Sequence, residues 1–218
     1  MSPVTEEEGR LAVGLARRTL ESALAEPYGP ELLGEKGVED LPPLFKEKRG
    51  LFVTLLSYPD KDLRGCIGFT KAVYPLYDGI PRAAWLAANE DYRFPPVTQG
   101  EVREIVIELS LLSPLDPIAY RTSQDLMSAI KIGRDGLVVA EGGTSGLLLP
   151  QVPVDEGWDV RDFLDGVCMK AGLPASEWTR PGPVFWKFSC QIFSEEKPGG
   201  QVAERPLTAP EKKEGRTR

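Results

Sequence analysis

The stretch Leu63-Arg64-Gly65-Cys66-Ile67-Gly68-Phe69 alternates as a β-strand does. Successive side chains of a strand point to opposite faces. Leu63 and Ile67 therefore share one face, and Arg64, Cys66 and Gly68 share the other. Upstream, Gly50 to Ser57 (Gly-Leu-Phe-Val-Thr-Leu-Leu-Ser) is β-prone and mostly apolar, which predicts a buried strand. Tyr58 to Asp62 is the turn between the two. Downstream, Val102 to Leu112 alternates again, with Val106, Glu108, Ser110 and Leu112 on one face and Ile105, Ile107, Leu109 and Leu111 on the other.

Helices interrupt these strands without a steady β-α-β rhythm, so the pattern predicts an α+β fold rather than a doubly wound sheet. Thr5 with Glu8 is a capping-box pattern, and the apolar spacing behind it predicts a helix from Glu6 to Ala25. Pro27 to Pro43 reads as a long loop, with Pro42-Pro43 an extended stop. Ile80 to Asn89 reads as a helix that admits Pro81 only in its first turn, and Thr122 to Ile130 as a short capped helix. Leu137 to Ala140 and Gly146 to Leu149 form a hairpin turned by Gly142-Gly143. Asp159 caps a helix to Ala171 whose apolar face includes Cys168. Val184 to Phe193 is one last strand with Val184, Trp186, Phe188, Cys190 and Ile192 on one face. Ser2 to Thr5 and the stretch from Thr208 contribute little burial.

Composition narrows the function. Of 218 residues, 26 are Lys or Arg and 33 are Asp or Glu, a net charge of −7. That balance argues against a nucleic-acid partner held by bulk positive charge. The chain has no histidine, which excludes a Ser-His-Asp triad, a Cys-His dyad and imidazole metal ligation. Its 3 cysteines form no Cys-x-x-Cys pair, so no metal site is expected, and the odd number fits a reducing compartment. The beginning Met-Ser-Pro-Val-Thr-Glu-Glu-Glu is unlike a signal peptide, and no apolar run approaches a membrane span of about 20 residues. A cytoplasmic protein without a membrane partner is the expectation. No cofactor and no oligomeric state can be read.

Cys66 is the candidate reactive group. Arg64 lies two residues away on the same strand face, where a guanidinium can stabilise a thiolate. Gly65 and Gly68 leave room for another backbone or a ligand to come close. The plainer alternative is that Cys66 packs under a crossing segment. Glu108 interrupts an apolar strand centre, so it must be solvated in a cleft or paired with a cation, with Arg64 and Arg93 as candidate partners. Ser110 shares its face. Asp91-Tyr92-Arg93-Phe94-Pro95-Pro96 combines an ion pair, two aromatics and a rigid turn, and fits either a ligand loop or a helix stop. Gly133-Arg134-Asp135-Gly136 reads as a turn with solvent-facing charges.

Leu63-Arg64-Gly65-Cys66-Ile67-Gly68 resembles the signature hexapeptide of the AMMECR family. Further stretches match in the same order: Arg93-Phe94-Pro95-Pro96-Val97, Glu108-Leu109-Ser110, Gly133-Arg134-Asp135-Gly136-Leu137 and Ser145 to Val152. Trp158-Asp159, Phe163-Leu164, Cys168 and Lys170 to Leu173 complete the set. Tyr92 and Glu156 depart from it, standing where the family has a proline and commonly a tryptophan. The resemblance implies mostly antiparallel sheets with flanking helices in two closely packed lobes with a cleft between them. The AMMECR domain would span 1–207, and a tail would follow over 208–218. The resemblance also implies company with a Memo-type protein and a radical S-adenosylmethionine protein. Two functions follow as expectations. In the first, an enzyme or enzyme-complex component uses Cys66 as nucleophile or ligand-contacting thiol, Glu108 as acid or base, and Arg64, Arg93, Gly65, Gly68 and Ser110 to bind an anionic ligand. In the second, a noncatalytic adaptor uses the same arginines.

Overall fold

A computed structural model of the chain describes residues 3–24 and 39–207. It divides into two units, one comprising the described parts of Met1–Leu112 and Gln191–Arg205, the other those of Ser113–Cys190 and Pro206–Arg218. Both are α+β, and the strand pairings described in each are antiparallel. No described helix is long and apolar enough to cross a membrane. The expected tail over 208–218, Ala25 and the loop over 27–38 lie outside the described residues.

The first unit carries a five-stranded sheet in the order β2-β1-β3-β8-β9. Its strands are β1 (Leu51–Ser57), β2 (Leu63–Phe69), β3 (Ile105–Leu112), β8 (Cys190–Glu195) and β9 (Val202–Glu204). Helix α1 (Glu6–Ala23) starts in the expected capping box, with Thr5 and Glu8 satisfying each other's backbone donors. Val4, expected to be little buried, is 4% exposed, because the Gln191 side chain grips its backbone N–H and carbonyl. Pro43 opens the short helix α2 (Pro43–Lys46) instead of extending a stop, its fixed φ suiting a first turn, and Leu44 and Phe45 enter the core.

Helix α3 (Leu76–Asn89) starts before the expected Ile80, which places Pro81 inside it rather than in the first turn. Complete burial of Leu76 and Ile80 accompanies that longer helix and offsets the donor Pro81 lacks. Its alanines Ala83, Ala84 and Ala87 allow close approach to the sheet. They join Leu15 and Ala16 of α1, Val53 and Leu55 of β1, and Ile107 and Leu109 of β3 in one core. The expected start of β3 at Val102 is instead a 3-10 turn, Glu101–Glu104.

The second unit has the sheet β4-β7-β5-β6, from β4 (Asp116–Pro117), β5 (Gly136–Glu141), β6 (Thr144–Leu148) and β7 (Val184–Phe188), with helices α4 (Ser123–Ser128), α5 (Gln151–Asp155) and α6 (Val160–Lys170). Gly142 and Gly143 both take positive φ, 56° and 85°, between Glu141 and Thr144, as a two-residue hairpin loop requires. Helix α6 is capped by Asp159 as expected and buries Phe163, Leu164, Val167 and Cys168.

The last expected strand is two strands in two sheets. It breaks at Ser189, which exchanges hydrogen bonds with Ser113. The break also shifts the faces: Phe185 is buried in β7 while Val184 is 48% exposed. Asp135, expected in solvent, is 4% exposed, and its carboxylate takes the Arg134 guanidinium and the Lys131 amide.

A Cβ on Gly65 would collide with the carbonyl oxygen of Ala87, because α3 lies directly on β2. Gly65→Ala is expected to lower stability by about 1–3 kcal/mol, read as a drop in the urea midpoint; an unchanged midpoint would show that helix and strand can separate at no cost.

Candidate functional site

The site is built on register. Thr54 of the middle strand β1 lies opposite Cys66 of β2 on one side and opposite Glu108 of β3 on the other. The three form one row on the sheet face that α1 and α3 do not cover. Thr54 Oγ1 donates to Cys66 Sγ at 3.3 Å. Thr54 and Glu108 are buried and Cys66 is half-buried. Gly68, Phe52 and Ser110 make the next row of that face, with Ser110 buried.

Glu108 is paired, as its burial demands, but with neither Arg64 nor Arg93. Its Oε2 accepts from Arg205 Nη1 at 3.2 Å. Arg205 follows β9, and its amide is anchored on the Ile192 carbonyl of β8. Strand order therefore brings it to β3 from 97 residues away.

Cys66 lies on the edge of the sheet, where backbone groups face away from β1. Asp91, just past α3, closes that edge. Its Oδ2 accepts the Cys66 N–H at 2.9 Å and Arg93 Nη2 at 2.6 Å. Its Oδ1 accepts Arg93 Nε at 2.9 Å and the Arg93 amide at 3.2 Å. Arg93 Nη2 also reaches the Cys66 carbonyl at 3.5 Å. Carboxylate and guanidinium together meet the Cys66 peptide where a further strand would otherwise pair, which is one way a sheet edge is protected. Paired chiefly with Arg93, the Asp91 carboxyl is held down at about 2.

Arg64 does not lie beside the thiol in the expected way. The register shifts between Leu55 and Leu56, whose partners are Gly65 and Leu63, leaving Arg64 as the extra residue of a β-bulge. Bulges re-aim side chains. Arg64 Nε bonds Glu101 Oε1 at 3.0 Å and Nη2 reaches the Pro96 carbonyl at 3.4 Å, while its Nη1 is buried with no hydrogen-bond partner among the described residues. The Thr98 amide, followed by Arg64, draws the Glu101 pKa down. The guanidinium carbons of Arg64 and Arg93 lie 6.0 and 5.4 Å from the centre of the Phe94 ring, a cation–π arrangement.

Neither glycine opens space for a ligand. The carbonyl of Ala87 fills the place beside Gly65, and the Leu51 carbonyl with Phe52 fills that beside Gly68. Close backbone approach is the role they serve.

The expectation that adjacent cations produce a thiolate is also corrected. Burial pushes the Cys66 thiol above its ordinary value. The Thr54 hydrogen bond and Arg93 oppose that rise, and Asp91 and Glu108 add to it. Loss of solvation outweighs one cation already neutralised by a carboxylate. Cys66 therefore rests as a thiol at neutral pH.

The cysteines form no disulfide. Cys168 is fully buried, and burial raises its thiol to about 11. Cys190, expected to be buried, is half-buried at the start of β8, with Sγ 3.8 Å from Gln151 Oε1. Among the described residues no group of three His, Cys, Asp or Glu side chains is placed to hold a metal ion.

The structure thus brings Cys66 and Arg93 together around Asp91, sets Glu108 two strands further in, and turns Arg64 toward Glu101. Sequence reasoning missed Thr54, Glu101 and Arg205, and saw Asp91 only as half of an ion pair in a loop. The Asp91-x-Arg93 ion pair is a local pattern, and Thr98-x-x-Glu101 is a local capping pattern; Thr54 and Arg205 have no signal short of strand register.

The family model for AMMECR1 matches residues 13–193. A protein of Methanocaldococcus jannaschii is 46% identical over 95% of this chain and 100% of its own length. A protein of Methanopyrus kandleri is 45% identical over 94% of this chain and 96% of its own. The crystal structure of an uncharacterised protein from Pyrococcus horikoshii superposes with a TM-score of 0.85 at 42% identity, covering 94% of this chain and 99% of that one.

The Asp91 network has a pH signature. Its carboxyl stands at about 2 when folded against 3.8 ordinarily, so its stabilisation is complete above the ordinary value and is lost as pH falls through about 2. Asp91→Ala is expected to cost about 2–3 kcal/mol at neutral pH and to flatten the loss of stability in that acid window. Denaturant titrations at several pH values check both, and an unaltered acid limb would remove Asp91 as its source.

Proposed function

The chain belongs to the AMMECR1 family, and on that premise we propose that the Cys66 row is the working centre of an enzyme or enzyme-complex component. The observation that carries this reading is the alignment of Cys66, Thr54 and Glu108 side by side across three strands. Polar groups on a buried strand centre are costly, and a buried ion pair adds little stability over apolar packing. Their alignment beside a half-buried thiol fits a chemical use. Cys66 supplies the sulfur. Because it rests as a thiol, its proton must leave as the sulfur attacks. Thr54 lies between Cys66 and Glu108 in the register, and its hydroxyl, which donates to the sulfur at rest, turns to take the sulfur's proton as its own passes to Glu108. Arg93, with 38% of its side chain exposed, is better placed than Arg64 to receive an anionic group of a substrate. Work beside a Memo-type protein and a radical S-adenosylmethionine protein remains part of the proposal.

One observation favours the adaptor alternative. Tyr92 is 95% exposed, and Arg93, Pro95 and Pro96 are exposed beside it. A rigid aromatic and arginine edge of this kind suits a protein contact.

Alkylation separates the two. For the enzyme reading, iodoacetamide is expected to modify Cys66 in the folded protein well before Cys168, and Thr54→Val to slow Cys66 by about three-fold or more at constant pH, since the hydroxyl favours the thiolate. Labelling of Cys66 only on unfolding would leave a packing residue and favour the adaptor.

A further inference from the structure

The geometry points to Asp91 as the positioning residue of this site: its carboxylate fixes the Cys66 peptide and neutralises the guanidinium held against it, and so withholds from the sulfur a cation that would favour its thiolate. The inference rests on Cys66 being the working group of the reading above, but on no particular substrate.

Three observations meet here. Asp91 is buried, 4% exposed, and both of its oxygens are used within the site. The bond from Cys66 N–H to Asp91 ties the sulfur-bearing residue to the carboxylate through the backbone, so the two cannot separate without opening the sheet edge. The Arg93 guanidinium is forked onto the same carboxylate, and its Nη2 also reaches the Cys66 carbonyl. One anion and one cation are thereby held close to the same thiol, and their fields at the sulfur oppose each other.

The other charges around Cys66 are accounted for separately. Glu108, across Thr54, carries the Arg205 pair. Arg64, on Cys66's own strand, carries the Glu101 pair. Among the described residues, the Asp91–Arg93 pair is the one in direct contact with the Cys66 peptide. Without the Asp91 charge, the Arg93 charge would be uncancelled by its partner and favour the thiolate. Without Arg93, the carboxylate would act alone and favour the thiol. A pair serving only to close a sheet edge makes no such prediction of opposite signs.

The test is the pH profile of Cys66 alkylation by iodoacetamide in the full chain, followed on the Cys66 peptide by mass spectrometry. Asp91→Asn keeps the shape of the side chain and removes its charge. It is expected to move the profile to lower pH and to raise the rate at neutral pH about ten-fold. Arg93→Gln is expected to move the profile to higher pH. The double variant is expected to return close to the parent, because both fields are gone.

An unmoved profile in Asp91→Asn overturns the inference. So does a double variant that stays displaced to low pH, since that marks an undocked edge and an exposed thiol rather than a lost charge. Should Asp91→Asn fail to fold, Arg93→Gln decides alone: a profile moved up supports the inference, and one unmoved or moved down overturns it. If the charge pattern holds while Thr54→Val leaves the rate unchanged, the proton relay falls and the role of Asp91 stands.

Discussion

The hydrogen bond from the Cys66 amide to the Asp91 carboxylate connects nearly everything described at the site. It closes the exposed edge of the outermost strand with a side chain instead of another strand. It also fixes where the chain goes after α3, and with it the position of Arg93. Because carboxylate and guanidinium are engaged together, the same contact holds a paired charge, not a lone cation, beside the sulfur. Opposite charges at one peptide largely cancel, and burial is left as the dominant influence on the thiol.

Two packing constraints make that contact possible. Helix α3 lies so close to β2 that only a glycine fits at position 65, and the run of alanines on α3 lets the helix descend to that depth. A larger residue at Gly65 would lift the helix, and Asp91 would be carried away from the strand edge with it. The second constraint is the bulge at Arg64, which turns the guanidinium out of the row of polar side chains toward Glu101. The row that remains is Cys66, Thr54 and Glu108, with Arg205 supplying the counter-charge from beyond β9. The thiol therefore sits beside carboxylates and guanidiniums that are already paired with one another.

Much of this was legible in the amino-acid sequence because it depends on neighbours along the chain. The bounds of β2, the capping boxes at Thr5, Thr122 and Asp159, and the hairpin at Gly142-Gly143 all follow from period, cap chemistry or turn chemistry. Cys66 itself could be singled out by alternation alone, and the Asp91-x-Arg93 pair was visible as a local ion pair. The α+β class follows from the order of the elements. The ordered motifs, beginning with Leu63 to Gly68, were enough to indicate the family.

What the sequence could not supply depends on which strands lie side by side. Val184 to Phe193 keeps a single period across Ser189, so nothing local shows that its two halves join different sheets. The sequence offers Arg64 and Arg93 as partners for Glu108, whereas strand order delivers Arg205. Arg64 shares the parity of Cys66, and only the uneven pairing of Leu55 and Leu56 with β2 reveals the bulge that re-aims it. The thiol followed the same rule: proximity of cations suggested a thiolate, and burial decided for the thiol. Local backbone preferences are written residue by residue. Ion-pair partners and desolvation are set by distances that exist only once the sheet has formed.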